Sequence, residues 1–234
     1  MAVVTVAFSD LDTWLQNQPQ NTVDTPYELN ITGLTSEEVK QSWETGTIGY
    51  VLRLYSDRYV DLSETELPVA SLHSTFFHCE TLVKAPDIPH GVTNVNSIFS
   101  DCTSLKEAPH LPNTVTIIDN IFYDCTSLVI APEIPNSVIN MSYAFRNCTS
   151  LIEANIPNSP QYIEYAFENC SALTTIKVKT LNFGEIEYYP RVFNLCNNLT
   201  AFYTDTPYEL KNWLSTIYQQ GVSNFPNDPE TCTF

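Results

Sequence analysis

A short phrase built on Phe, Cys and Leu recurs down the middle of the chain at nearly constant spacing. Its anchors are Phe77, Cys79 and Leu82; Phe99, Cys102 and Leu105; Phe122, Cys125 and Leu128; Phe145, Cys148 and Leu151; Phe167, Cys170 and Leu173; and Phe193, Cys196 and Leu199. The steps from Cys79 to Cys102, to Cys125 and to Cys148 are each 23 residues, and those to Cys170 and Cys196 are 22 and 26. A period of roughly 20 to 29 residues belongs to stacked coils, each too small to bury its apolar face except against its neighbours. Such a chain winds into one elongated solenoid. Its function then lies on a surface rather than in a pocket.

Composition narrows the function classes. Ten Lys and Arg against 27 Asp and Glu give the 234 residues a net charge of −17. The acids are scattered (Asp10, Glu37, Asp61, Asp101, Glu133, Glu168, Glu187), with no run long enough for an acidic tail. A phosphate backbone needs clustered Lys and Arg, and an anionic membrane needs a basic face, so neither nucleic acid nor a membrane surface is an expected partner. No stretch reaches the ~20 apolar residues of a membrane span. Met1–Ala7 lacks the basic segment and apolar run of a signal peptide. The chain therefore either stays inside the cell or is a mature segment behind a start codon.

Six of the seven cysteines share one phase of the repeat. Equivalent positions in adjacent coils lie about 4.8 Å apart, whereas a disulfide wants Cβ atoms about 3.8 Å apart and side chains turned toward one another. The six are expected as stacked, buried thiols whose weak S–H groups meet neighbouring carbonyls. Without a Cys-x-x-Cys pair or a phased histidine set, no metal or other cofactor is expected. Cys232 stands outside the ladder and is the one cysteine with a prospect of reactivity.

Each coil divides into three parts. In Cys125–Phe145, Leu128, Ala131 and Ile134 mark a short strand with one irregular step, because Pro132 has no N–H for a regular ladder. The coil Leu151–Pro157 omits that extra residue, and its period shortens to 22. A turn comes next, at Pro89-His-Gly, Pro112-Asn-Thr, Pro135-Asn-Ser and Pro157-Asn-Ser. Then comes an apolar beat every third residue: Val92, Val95, Ile98; Val115, Ile118, Ile121; Val138, Met141, Ala144; Pro160, Ile163, Ala166. That beat suits either a 3₁₀-like return or a brief second strand. Residues 177–190 break the turn pattern, as an inserted loop or hairpin or as irregularity near a cap.

Open coil ends require caps, so residues 1–57 are assigned to an N-terminal cap, 58–203 to the solenoid, and 204–234 to a C-terminal helical cap and tail. Ser9–Asp12 and Thr35–Glu38 resemble capping boxes, the first leading to Leu11, Trp14 and Leu15, the second to Val39 and Trp43 with Gly46 as its stop. Tyr27–Ile31 alternates like a strand, and Arg58–Ser63 resembles the strand of a first, atypical coil. Thr206, Pro207 and Glu209 open a helix of about 14 residues that ends before Gly221. Asp24-Thr-Pro-Tyr-Glu-Leu29 and Asp205-Thr-Pro-Tyr-Glu-Leu210 are identical words, expected as strand entry and as helix respectively.

The pattern Cys-x-x-Leu-x-x-Ile-x-Ile-Pro-x-x-Val-x-x-Ile-x-x-x-Ala-Phe-x-x-Cys resembles the BspA-type leucine-rich repeat of bacterial surface proteins. The match is closest from Cys148 to Pro157 and on through Ile163, Ala166, Phe167 and Cys170; the other coils differ by the extra proline. The resemblance covers about residues 58–203 and implies an α/β fold: a right-handed leucine-rich repeat solenoid of 22–26-residue coils, with short parallel strands and helical caps. It further implies export to the cell surface or outside the cell and attachment to extracellular matrix or host-cell proteins. No ligand-binding residues are carried over by it.

A binding face would use the outward positions of the strands. One column is Asp87, His110, Glu133, Asn155 and Lys177; a second is Lys84, Glu107, Ile130, Glu153 and Thr175. These letters vary while the core letters stay fixed, which fits recognition and equally fits unconstrained solvent-facing positions. Ile130 and Ile152 among charged neighbours point to a patch. Catalysis is not expected. His73, His78, His90 and His110 form no metal-spaced group, Ser104 and Ser127 belong to the repeat turn, and no glycine-rich phosphate loop occurs. The expected function is a non-enzymatic cell-surface or secreted protein-binding module; the alternative is an intracellular or periplasmic scaffold without a dedicated ligand.

Overall fold

The computed structural model describes residues 2–69, 71–158, 160–178, 191–205 and 207–219. Its elements in chain order are β1 (Val4–Ala7), α1 (Phe8–Asn17), β2 (Tyr27–Thr32), α2 (Ile48–Arg53), β3 (Val60–Asp61), β4 (Leu82–Lys84), β5 (Glu153–Ile156), β6 (Thr175–Val178), β7 (Ala201–Thr204) and α3 (Pro207–Gln219). All strand pairs are parallel, in a four-stranded sheet β1-β2-β3-β4 and a three-stranded sheet β5-β6-β7. Single bridges Lys84↔Glu107, Glu107↔Ile130 and Ile130↔Glu153 join them into one ladder. The fold is the right-handed parallel solenoid expected from the repeat.

Proline determines how much of each coil is strand. Coils carrying Pro86, Pro109 or Pro132 have no N–H at that step, and on the strand side each pairs with the following coil through one bridge. The coil without the extra proline supports β5, which holds register with β6 over four residues, from Glu153↔Thr175 to Ile156↔Val178.

The interior is a column of phenylalanine rings. Phe76, Phe99, Phe122, Phe145, Phe167 and Phe193 stack with centroids 5.4–5.7 Å apart, and Phe202 closes the column edge-on at 6.0 Å. The first member is Phe76 and not Phe77. Phe76 stands three residues before Cys79, as in every later coil, and is fully buried, whereas Phe77 is half-buried with its ring edge-on to Trp43. The double Phe hid the phase.

The six described cysteines are free and buried. Each thiol of the later five donates to the carbonyl of the Phe one coil earlier: Cys102 to Phe76, Cys125 to Phe99, Cys148 to Phe122, Cys170 to Phe145 and Cys196 to Phe167, at 2.9–3.1 Å. Cys79 donates to Gly49 O at 3.6 Å. The same Phe carbonyls accept the backbone N–H of their own coil's Cys, as Cys102 N does to Phe99 O at 3.1 Å. Both lone pairs of a buried carbonyl are thereby used. Burial pushes the thiols well above their ordinary range, to about 12 at Cys196. Cys232 lies outside the described residues.

The apolar beat combines both conformations considered for it. Bonds three residues back (Ile98 N to Val95 O, Ile121 N to Ile118 O, Ala144 N to Met141 O) tighten the return. Alternate N–H groups reach the next coil instead, as Ser97 N does to Asp119 O at 3.0 Å and Asp101 N to Tyr123 O at 2.7 Å. This alternation needs two left-handed residues per coil. Ser97, Asn120, Tyr143 and Tyr165 form one such column and Asp101, Asp124, Asn147 and Asn169 the other, with φ between 53° and 63°. Asp and Asn tolerate that region best among residues with a Cβ.

The N-terminal segment departs from its expected caps. α1 begins at Phe8 behind Ala7, which has no capping side chain, because β1 runs straight into the helix and leaves Ser9 inside its first turn. Thr35 and Glu38 do bond to each other: Thr35 N and the Thr35 hydroxyl both donate to the Glu38 carboxylate. No α-helix continues from them, because the next backbone is held by the first coils: Ser42 N donates to Ser74 O, and the Thr75 hydroxyl to Val39 O. Gly46 (φ +83°) precedes α2 rather than ending a helix, and Thr47 caps α2 by accepting from Tyr50 N. At the far end α3 starts at Pro207 and runs 13 residues, with Leu210, Trp213 and Leu214 buried. Residues 179–190, within the expected insertion, lie outside the described residues.

This interior sets three measurable outcomes. Phe122→Ala should lower unfolding free energy by about 3–5 kcal/mol, read from urea denaturation, because it opens a gap between two stacked rings. The six ladder thiols should react with a thiol reagent only on unfolding, as native burial holds them protonated. The third concerns Asp101. Burial raises its carboxyl pKa, Asp124 one coil on and Glu80 raise it further, and His78 and Ser100 pull it down. A carboxyl raised on folding binds protons more readily in the native state, so its contribution to stability is greatest at acid pH and declines as pH rises through the raised value. Asp124→Asn keeps the left-handed backbone and removes one repulsion, so its Tm gain over the parent should be larger at pH 7 than at pH 4.

Candidate protein-binding face

The ladder brings both outward columns to one surface. Lys84, Glu107, Ile130, Glu153 and Thr175 are successive bridge partners, and Ala201 continues the row in β7. In the other column Asn155 pairs with Lys177 and Lys177 with Tyr203, and His110 N donates to the Asp87 carboxylate at 3.0 Å. A third row, absent from the two columns picked out in the sequence, carries Lys106, Val129 and Ile152, tied by Ile152 N donating to Val129 O at 2.9 Å. Treating every phase of the repeat as a column would have found it.

Several of these side chains already have partners within the face. Lys84 sits 3.3 Å from the Glu107 carboxylate and 3.8 Å from that of Asp61; Lys177 pairs with Glu153, and Lys106 with Asp24. The Glu107 and Glu153 carboxylates raise the ammonium pKa of Lys84 and Lys177 respectively. Asn155 is directed at backbone: its Oδ1 accepts from Ile134 N at 2.9 Å and its Nδ2 donates to Ile134 O at 3.1 Å. Asp87 does similar work at His110 N. Both carboxamide and carboxylate replace ladder bonds next to the proline steps.

Between the ion pairs lies the apolar part of the face. Ile130 is 64% exposed, Ile152 47% and Val129 39%. Ile130 and Val129, with Ala131, Pro132 and Ala108, line a shallow depression edged by Lys106 and Glu107. A second depression adjoins it, with Glu133, Asn136, Asn155 and Lys177 on its walls. Branched aliphatic groups held on a backbone ladder lose little freedom when covered, so burying them against a partner contributes about 25 cal/mol per Å². Among the described residues no cluster of three metal-binding side chains occurs, and no helix is long and apolar enough to cross a membrane. His73 contacts Asn96 O and His78 the Asp101 carboxylate, two positions on the return side and apart from the strand face.

The return side carries its own row, also unread in the sequence. Tyr143 and Tyr165 stack at 4.9 Å, and the Arg146 guanidinium lies 5.5–5.8 Å from the rings of Tyr123, Tyr143 and Tyr165 while pairing with buried Glu168 at 2.6 Å. Arg146 Nε and Glu168 Oε2 are in charge contact without hydrogen-bond geometry, and both are buried.

Comparison with known proteins agrees with this geometry. Six copies of the BspA type leucine rich repeat region match residues 70–200, more than half of the chain. No curated protein matches the chain. Among solved structures, a leucine-rich repeat protein of T. pallidum shares 26% identity with a TM-score of 0.49, over 63% of this chain and 70% of that one. A leucine-rich repeat protein of Bacteroides ovatus shares 15% identity with a TM-score of 0.38, over 86% of this chain, which spans 63% of that protein's length. With its repeats matched throughout residues 70–200, the chain belongs to the BspA-type leucine-rich repeat family.

Proposed function

We propose that the chain is a protein-binding module that engages its partner through the strand face and serves attachment, at the cell surface or outside the cell, to host or extracellular-matrix proteins. The observation that carries the reading is Ile130: a branched aliphatic side chain, 64% exposed, whose bridge partners in the row are Glu107 and Glu153, with Val129 and Ile152 beside it. Contiguous exposed aliphatics rimmed by polar groups mark interaction sites. The rim sets orientation: Glu107 and His110 on one side, Glu133, Glu153 and Lys177 on the other. Ion pairs within the rim keep it ordered before binding, which lowers the entropy lost on association. Thr175 and Asn155 extend the polar edge toward β6, and Lys84 and Asp87 do so toward β4.

The test is binding of the purified chain to fibronectin, fibrinogen and a panel of cell-surface proteins at physiological salt. Ile130→Asp, and separately a variant with Glu107, His110, Glu133 and Lys177 all changed to Ala, should each weaken binding at least about tenfold, 1.4 kcal/mol, with unchanged thermal unfolding. Binding that survives both variants removes the strand face from the reading. Failure of the parent chain to bind any member of the panel favours an intracellular or periplasmic scaffold with no dedicated ligand.

A further inference from the structure

The rows that surround the exposed aliphatics are unbalanced in charge. Glu28, Asp61, Lys84, Glu107, Ile130 and Glu153 follow one another as ladder partners, so a single basic side chain stands among four acids. Its ammonium lies 3.3 Å from the Glu107 carboxylate and 3.8 Å from that of Asp61. Beyond Ile130, Lys177 bonds to Glu153, and exposed Glu133 lines the same depression as that lysine. Lys106, at the edge of the aliphatic depression, is paired with Asp24. Lys84, Lys106 and Lys177 are thus already held by carboxylates. The acids left over give the face a negative surplus, in a chain of net charge −17.

Charge and apolar surface are interleaved here. Glu107 and Glu153 are the bridge partners of Ile130, one on each side, and sit two coils apart, about 10 Å. The aliphatic floor between them screens poorly, so their fields add where a partner's side chains would lie. An acidic segment laid on this face is repelled. A neutral one gains only from covering Val129, Ile130 and Ile152. A segment with an apolar side chain over Ile130 and cations to either side gains from both. In an extended chain, side chains on the same side stand about 7 Å apart. Lys or Arg two residues before and after the apolar one therefore reach past Ile130 to the two carboxylates, their flexible stems taking up the difference.

Building on the strand-face reading above, we propose that the partner presents a basic segment: an extended stretch with one large aliphatic side chain for the patch at Val129, Ile130 and Ile152, and Lys or Arg two positions to either side of it. The carboxylates steer its approach and fix its placement, and the aliphatics hold it once water is excluded. Attraction of this kind is screened by salt, so affinity falls as ionic strength rises.

Fluorescence anisotropy of the labelled peptide Lys-Arg-Ser-Leu-Ser-Arg-Lys with the purified chain, at low and at physiological salt, tests the proposal. Expected is an affinity that falls with salt and is at least tenfold above that of the same peptide with Leu replaced by Ser, or with its four basic residues replaced by Glu. Ile130→Ser should lower it at least tenfold, and so should Glu107→Gln, Glu133→Gln and Glu153→Gln combined, both with unchanged thermal unfolding. Equal affinity for the Leu and Ser peptides overturns the proposal, since it shows charge attraction without recognition. Binding unaffected by the variants, or no binding at all, overturns it too. The strand-face reading fails separately, when a panel protein binds Ile130→Asp as tightly as the parent. A panel protein that loses binding to Ile130→Asp, yet is indifferent to salt and to the three Gln changes, keeps the face and removes the basic partner.

Discussion

From Phe76 to Phe167, each coil is registered with the next by the carbonyl oxygen of its buried phenylalanine. It receives the N–H of the cysteine three residues on and the thiol of the cysteine one coil further along. An unpartnered buried carbonyl costs on the order of 1–3 kcal/mol, so the two donors together set both the tightness of the turn and the register between coils. Cysteine suits the second role because its side chain is small, apolar enough to be fully buried and still able to donate. Serine has the donor but a greater cost of burial, and alanine leaves the lone pair empty. The phenylalanine rings depend on this registration: once the carbonyls are aligned, the rings superimpose at 5.4–5.7 Å.

Against that rigid interior, the strand side is incomplete. Coils with prolines at 86, 109 and 132 pair with the following coil through one strand-side bridge, and further bonds come from side chains, from Asp87 at His110 N and from Asn155 at Ile134. The surface therefore has two classes of outward residue. Some hold neighbouring coils together or neutralise one another, as Asn155, Lys84 and Lys177 do. Others, Val129, Ile130 and Ile152 above all, are apolar and exposed. Alike in their exposure, the two classes separate only by their partners.

The molecule is also polar end to end. After β7, Leu210, Trp213 and Leu214 of α3 join the core, whereas β1 contributes Val6 to it. A parallel ladder has this asymmetry built in, since its two ends present different strands and cannot mirror each other. Acidic groups meanwhile accumulate on the return side, where Asp101 and Asp124 occupy left-handed positions one coil apart. Backbone conformation selected their residue type, and mutual repulsion is the consequence.

Periodicity was enough to establish the solenoid, its buried thiols, the proline interruptions and the two outward columns, because each depends on spacing that a linear chain displays directly. Phase within an ambiguous word was not: Phe76 and Phe77 are both phenylalanine, and only packing against Phe99 distinguishes them. Capping letters were likewise insufficient. Thr35 and Glu38 form their bonds, yet the helix does not propagate, because the coil edge takes the backbone that a helix would need. The two copies of Asp-Thr-Pro-Tyr-Glu-Leu make the division plainest. One pairs as a strand, with Tyr27 N donating to Tyr59 O, and the other opens α3 with Leu210 buried. Identical local preferences were resolved by the residues C-terminal to each word and by the surface it meets: an open sheet edge in one case, an exposed core in the other. Sequence alone determined the repeating body, since each coil's apolar pattern can be buried only by another coil; tertiary structure decided the ends and which exposed side chains stay free, since both depend on neighbours distant in the chain.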